Sequence, residues 1–279
     1  MPISQQSSSK SLGEKPTKDR AIEIREIPKD FVEMPNNNLS TSGKYYNSKI
    51  YCRPLKGSEI MTLADIDENN ADDIIDSVLK GATWFDNEDF SIDDIFVNDK
   101  LNLIFYIRVL TYKDPNFKIN HYCQNEDCGA NNKIFFDMGD VKINYISENL
   151  TEDDFVFVTS DKVKLEFNLI TIKKQKYIKD MLPKLEKSIK GKKLFWDKEL
   201  AQMSLMMDMD NKEFVNEFLK YMYFADKIIA TDLVKLKSKL NKLDCDIDTN
   251  IEHTCSECGG TDLVPVIFYS EFFIPEYIA

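Results

Sequence analysis

Residues 120–133 read NHYCQNEDCGANNK, and residues 251–263 read IEHTCSECGGTDL. Each stretch sets two cysteines a short step apart: Cys123 and Cys128 in the first, Cys255 and Cys258 in the second. Glycine follows the second thiol both times, Gly129 and Gly259. Thiolates at these spacings can converge on one tetrahedral ion while the amides of the turn face the sulfurs. The glycine frees the backbone for the left-handed turn that closes such a knuckle. Strand-forming residues come next in both cases, KIFFDM and LVPVIFY. Two knuckles, each leading into a strand, are the parts of a zinc ribbon. The pattern predicts one metal site with Cys123, Cys128, Cys255 and Cys258 as ligands and a structural Zn2+ ion as occupant. A tetrathiolate iron site has the same geometry, with zinc the commoner structural occupant. Neither spacing is that of an iron–sulfur cluster.

Well over a hundred residues separate the two pairs. Loop-closure cost grows only with the logarithm of length, so a folded insertion between the halves is tolerable. The predicted fold is therefore α+β: helical bundles and short β-strands organised around a four-cysteine zinc ribbon that a long insertion splits. A closed four-thiolate site leaves no coordination position for water or substrate, and its expected task is to tie the ends of the insertion together. His121 and His253, the two histidines of the chain, each lie two residues before a knuckle and are read as neighbours of the site. Cys52 and Cys245 lack a partner motif and are read as small apolar residues.

Charge narrows the function classes. Acidic residues outnumber basic ones 48 to 36 in 279 residues, a net charge of −12. That argues against a general nucleic-acid or anionic-membrane binder, which needs a positive footprint. The lysine-rich run KKQKYIKDMLPKLEKSIKGKK at 173–193 is read as a solvated helix face. No apolar run reaches membrane-spanning length, and MPISQQSSSKSLGEKPTKDR carries no secretory core, so a reducing compartment and metal-ligating cysteines are expected.

Along the chain, the reading gives a flexible tail at 1–30 and a strand-plus-helices region at 31–120. The first zinc-ribbon half takes 121–145 and an inserted strand–helix domain takes 146–250. The second half and C-terminal strands occupy 251–279. A helix is expected from Ser58 with Ile60, Met61 and Leu63 inward, and another over 70–82 on the stripe Ile74, Ile75, Val78, Leu79. DKLNLIFYIRVLTY (99–112) is apolar almost all round and should be central. Two strands flank a Ser-Asp turn within 155–172. A helix from Lys173 to Lys190 should kink or break at Pro183. Further helices fit 211–225 and 231–244, the latter capped by Thr231, with Leu233, Leu236, Leu240 and Leu243 on one face. The aromatic C-terminus reads as extended. The order strand, polar joint, helices occurs twice, from residue 49 and from residue 163.

Other constellations carry less. DIDENNADDIID (65–76) approximates a calcium loop, but Asn70 replaces its glycine, Asp72 fills the apolar slot and Asp76 replaces glutamate, so an acidic linker is expected. Met203, Met206, Met207 and Met209 read as core, while Trp84, Phe85 and the terminal FYSEFFIPEY read either as interface anchors or as core filling. No phosphate-binding glycine loop, H-E-x-x-H or G-x-S-x-G is present in the sequence, and a non-enzyme is expected.

Five stretches, taken in order, carry a resemblance: LSTSGKYYNSKIYCRPLKGSEI (39–60), FYIRVLTYKD (105–114), CQNEDCGA (123–130), CSECGG (255–260) and VIFYSEFFIP (266–275). From about residue 35 to 279 the chain resembles the baseplate hub proteins of T4-like contractile-tailed bacteriophages. The matching positions are Gly43, Tyr46, Arg53, Arg108, Tyr112, Cys255, Cys258, Phe272, Phe273 and Pro275. Two departures stand out: LSTSG replaces the family's Leu-Pro-Ser-x-Gly, and the first knuckle has four intervening residues in place of two. The resemblance implies a non-enzymatic component or assembly helper of the hub. Its partners would be other baseplate hub and tail proteins, with the tape measure protein as a further candidate, and no nucleic acid or membrane. Its place would be the host cytoplasm during assembly, with the virion's tail baseplate as the alternative. The competing reading is a zinc-ribbon nucleic-acid-associated protein of transcription or replication, which would use the lysines between Lys173 and Lys193.

Overall fold

The computed structural model describes residues 26–67, 69–137, 139, 141–209, 214–266 and 270–273. The first 25 residues of the expected tail, and Pro275, lie outside them.

The chain opens with strands β1 (Val32–Glu33) and β2 (Ile50–Cys52), then helices α1 (Gly57–Ala64) and α2 (Ala71–Ala82), strand β3 (Thr83–Phe85) and helix α3 (Val97–Tyr112). The strands form an antiparallel sheet in the order β1-β2-β3. A hairpin follows, β4 (Asn116–Tyr122) with β5 (Asn131–Asp137), then β6 (Ile143–Asn144). The second module repeats the order with β7 (Val156–Val158), β8 (Lys164–Glu166), α4 (Ile172–Lys190), α5 (Lys198–Met206) and β9 (Asp208–Met209). After it come α6 (Glu217–Met222), a π-helical turn (Tyr223–Lys227) and α7 (Ala230–Leu240). Its sheet is again antiparallel, β7-β8-β9. Strand β10 (Asp246–Ile247), the hairpin β11 (Asn250–Thr254) with β12 (Thr261–Pro265), and α8 (Ser270–Phe273) complete the fold. It is a mixed α+β fold in which β-β-α-α-β, then helix, then a cysteine-bearing hairpin is traced twice, the second time with two helices, α6 and α7, in place of α3 and with β10 ahead of the hairpin.

The repetition reaches side-chain chemistry. Asp99, third residue of α3, is fully buried and accepts from Thr41 N (3.1 Å) and Thr41 Oγ1 (2.5 Å) in the turn before β2. Asp232, third residue of α7, accepts from Ser160 N (2.6 Å) and Oγ (3.0 Å) in the turn before β8. A carboxylate in a first helical turn faces the positive end of the helix macrodipole, which helps hold it in a dry site. Burial pushes the Asp99 carboxyl above the usual range, against the hydrogen bonds from Thr41 and Tyr46. Burial and the facing Asp99 push the Tyr46 phenol far up as well.

Two cores result. The first joins α1, α2 and α3 to the sheet, with Leu63, Leu79, Leu103, Ile104 and Ile107 fully buried. Distant residues complete it: Phe117, Ile247, Val266, Phe272 and Phe273. The second core lies inside the insertion, on Leu165, Phe167, Met207, Tyr223 and Leu236. A seam joins them: Val97 N donates to Ile170 O (2.8 Å) and Ile172 N to Ile95 O (2.8 Å). Beside it Lys176 pairs with Asp76 (3.4 Å) and Asp93 (2.8 Å), and Lys179 with Asp73 (2.8 Å).

Several local expectations are corrected. Met61 points to solvent at 68% exposure, because the eight-residue α1 buries only Leu63. Of the kink or break expected at Pro183, the break does not occur: helix α4 is continuous from Ile172 to Lys190. Proline forfeits one hydrogen bond, and the exposed position of Pro183 lets water satisfy the orphaned carbonyl. Thr231 lies inside α7, whose cap position is Ile229. At the C-terminus residues 270–273 are helical. Asp76 of the calcium-like stretch faces Lys100 (2.8 Å), a lysine buried on α3. The methionine run is core, with Met203 and Met207 buried.

Candidate metal centre

The hairpins β4–β5 and β11–β12 turn their inward faces to each other, and the knuckles meet at one end. Register decides which side chains face inward. His121 stands opposite Asn132 in the first hairpin, and His253 opposite Asp262 in the second. Each knuckle is closed by backbone bonds: Cys123 N donates to Ala130 O (2.9 Å) and Cys128 N to Asn125 O (2.9 Å). In the second, Cys255 N donates to Gly260 O (2.8 Å) and Gly259 N to Cys255 O (3.0 Å). Gly129 and Gly259 have φ of +59° and +70°, the left-handed conformation the turn requires.

The four sulfurs lie within 4.8 Å of one another, the one metal-capable cluster among the described residues. Cys123 Sγ is 3.6 Å from Cys258 Sγ, and Cys128 Sγ is 3.8 Å from Cys255 Sγ. Both close pairs cross from one knuckle to the other, so the halves interleave. A tetrahedron with metal–sulfur bonds of about 2.3 Å has edges of about 3.8 Å. A disulfide would need about 2.05 Å. The donor set therefore fits a tetrahedral ion. Cys123 and Cys255 are buried, while Cys258, second thiol of its knuckle, is exposed.

Electrostatics point the same way. The amides of Cys258 and Glu257, with the Asn132 carboxamide, pull the Cys255 thiol down to about 6. Cys123 is pushed up to about 12: the Asn125 amide favours its thiolate, but burial and the neighbouring sulfurs outweigh it. One thiolate is readily made here and further ones repel it; a divalent cation removes that conflict.

Residues outside the cysteine pattern brace the site, and sequence reasoning missed them. Asn132 Nδ2, in the first hairpin, donates to Cys255 Sγ (3.5 Å) of the second, and Ser256 donates to Asn132 Oδ1. Asp262, in the second hairpin, meets His121 Nε2 (3.1 Å) and accepts from Gln124 N (3.2 Å) in the first. The His121 contact and the Gln124 amide hold the Asp262 carboxyl below its ordinary range. Asn125 Nδ2 reaches Cys258 Sγ at 3.8 Å. A signal was available: Asn132 and Asp262 each lie four residues after the second cysteine of their knuckle. His121 thus touches a bracing carboxylate, and His253 packs edge-on to it with ring centroids 6.4 Å apart. Cys52 and Cys245 stand apart from the cluster, their thiols pushed up to about 12 by burial.

The other singled-out positions converge elsewhere. Arg108 is buried and donates Nε–H to Phe272 O (2.8 Å) and Nη2–H to Asn116 O (3.2 Å). Its guanidinium lies over the rings of Tyr112, Phe117 and Phe272 at 5.2–5.6 Å. Tyr112 OH donates to Phe273 O (2.5 Å). Arg53 forms a two-pronged pair with Glu59 (2.6 and 2.9 Å) and donates to Gly81 O. Tyr46 donates to Asp99 and stacks on Phe96, and Gly43 O accepts from Tyr46 N. These residues pin the first core together. A separate cavity of about 320 Å³ between α3 and the β6–β10 ribbon is lined mainly by apolar and amide side chains, among them Phe105, Tyr106, Asn102 and Ile247.

Set against family models, curated proteins and solved structures, the chain matches none.

Proposed function

We propose that this chain is a structural or assembly protein of a contractile phage tail. It binds other baseplate hub proteins and holds its fold together with one structural zinc ion at Cys123, Cys128, Cys255 and Cys258, in a ribbon that the insertion splits. The observation that carries the structural role is the interleaved tetrahedron of sulfurs: four protein ligands fill the coordination shell and leave no place for substrate. Zinc is favoured over iron because it is the usual occupant of closed structural thiolate sites. The hub assignment rests on the resemblance. Arg108, Tyr112, Phe272 and Phe273 lie far apart in sequence and interlock in the fold, which supports reading them as one architectural signature.

The test is a pull-down of the tagged protein from infected cells, with mass spectrometry of its partners and metal analysis of the same eluate. Hub or tape measure proteins with about one zinc per chain are the expected result. Polymerase subunits or nucleic acid would move the function to transcription or replication, and a metal-free eluate would remove the zinc.

A further inference from the structure

From Lys176 onward the lysines of α4 and the residues after it fall into two groups. Lys176 and Lys179 pair with Asp73, Asp76 and Asp93 of the first module. Beyond them, residues 184–193 hold five lysines against one acidic residue, Glu186. Lys184, Lys187, Lys192 and Lys193 have no ion-pair partner among the described residues, and Lys190 meets only Glu186 on its own helix. At 3.6 residues per turn, Lys176, Lys179, Lys187 and Lys190 fall within an arc of roughly 80°. One basic stripe therefore starts against an acidic surface and continues about 16 Å past its last cross-module partner.

The stripe ends in apolar groups that are held outward. Leu194 is 40% and Phe195 66% exposed. Their segment is fixed: Tyr221 OH donates to Phe195 O (3.2 Å) and accepts from Asp197 N (2.8 Å), and Trp196 packs on the Tyr221 ring. Lys192 Nζ sits 3.5 Å above the ring of Phe218. Rigid aromatic groups exposed beside charges have the character of interface anchors.

We propose that this stripe, with Phe195 at its end, docks an acidic segment of a partner protein in which carboxylates are interspersed with apolar side chains. The engaged half of the stripe displays the chemistry, since lysines at helical spacing there meet Asp73, Asp76 and Asp93. The free half continues that interface and adds an apolar anchor. Its cations are all lysine, without the forked guanidinium that grips phosphate. The inference rests on the reading of the chain as an assembly protein, and deepens it by naming a surface and a partner chemistry.

The experiment titrates the full-length, metal-loaded protein with a fluorescent peptide of repeated Glu-Leu-Glu-Glu and, separately, with a thymidine oligonucleotide. Lys187→Glu/Lys190→Glu/Lys193→Glu should weaken peptide binding by about tenfold or more, and Phe195→Ala by several-fold. Phe195→Ala should leave the melting temperature unchanged, because the ring is exposed, and the triple variant should lose only a few degrees, from the Lys190–Glu186 pair and the favourable charge in the last turn of α4. Failure of the peptide to bind, or equal binding by wild type and both variants, overturns the proposal. So does tighter binding of the oligonucleotide with no response to Phe195→Ala, which makes the patch a nucleic-acid surface. A pull-down empty of tail proteins refutes the hub reading and leaves this titration to decide the surface by itself.

Discussion

Cys255→Ser deletes one of the two most buried ligands and measures how much of the fold hangs on the four sulfurs. Structural zinc binds short peptides with about 10–16 kcal/mol at neutral pH. Here the sequence sets 126 residues between Cys128 and Cys255, and closing a loop of that size costs about 5 kcal/mol. Even if the metal bore that closure alone, the low end of the range leaves about 5 kcal/mol of net stabilisation. The β6–β10 ribbon and the His121–Asp262 contact already draw the ends together, so the figure is a floor. Set against a total stability of about 5–15 kcal/mol, it is a large share. At roughly 2–4 °C per kcal/mol the melting midpoint should fall by at least about 10 °C. The assay is circular dichroism melting of wild type, variant and chelator-treated wild type, with metal content measured on the same samples. The reasoning is refuted if wild type carries the metal, the variant does not, and their midpoints agree within about 2 °C.

Other outcomes follow from the same geometry. Phe273→Ala removes a fully buried ring and should cost about 3–5 kcal/mol; hydrogen exchange should show the loss in residues 50–112 and leave 163–209 protected, and uniform deprotection would contradict separate cores. Asn132→Ala withdraws the donor to Cys255 Sγ and should speed metal release to a competing chelator by roughly 10–100-fold; an unchanged rate argues that the brace is incidental. Burial works against ionisation of Glu59, but Arg53 and the Lys56 amide outweigh it and hold its carboxyl low. Its stabilising pair is therefore present above the ordinary carboxylate range and is lost as pH falls through the depressed value. Glu59→Gln should cost about 2 kcal/mol at neutral pH and flatten the acid side of the stability profile; a profile parallel to wild type would remove the pair from the account.

The cysteine knuckles were legible because a metal site imposes short-range spacing and a left-handed residue, both of which survive as letters. Helix α2 was legible through apolar periodicity, and α3 through a run that is apolar on almost every side. The bracing residues were not: Asn132 and Asp262 act across two hairpins whose mutual register appears in no single stretch. The break expected at Pro183 is absent because an exposed position leaves the carbonyl that loses its partner open to water. The lysine run was read as a solvated face, yet Lys176 and Lys179 are spent on the other module. The Asp99 and Asp232 contacts went unseen because each links a helix start to a turn some sixty to seventy residues upstream.

The first core is filled in part by Phe272 and Phe273, so during synthesis its packing is incomplete until those residues have left the ribosome. Tyr112 is made 161 residues before Phe273. At about 5–20 residues per second the nascent first module waits on the order of ten seconds with its apolar surface open. The insertion, whose hydrophobic cluster lies within 146–245, can fold in the meantime. A message broken after residue 245 but before Phe273 yields a chain with a finished middle and an unfinished start, a sticky product suited to capture by chaperones and proteases. A ribosome that has read through Phe273 releases a protein whose beginning has its full complement of core side chains.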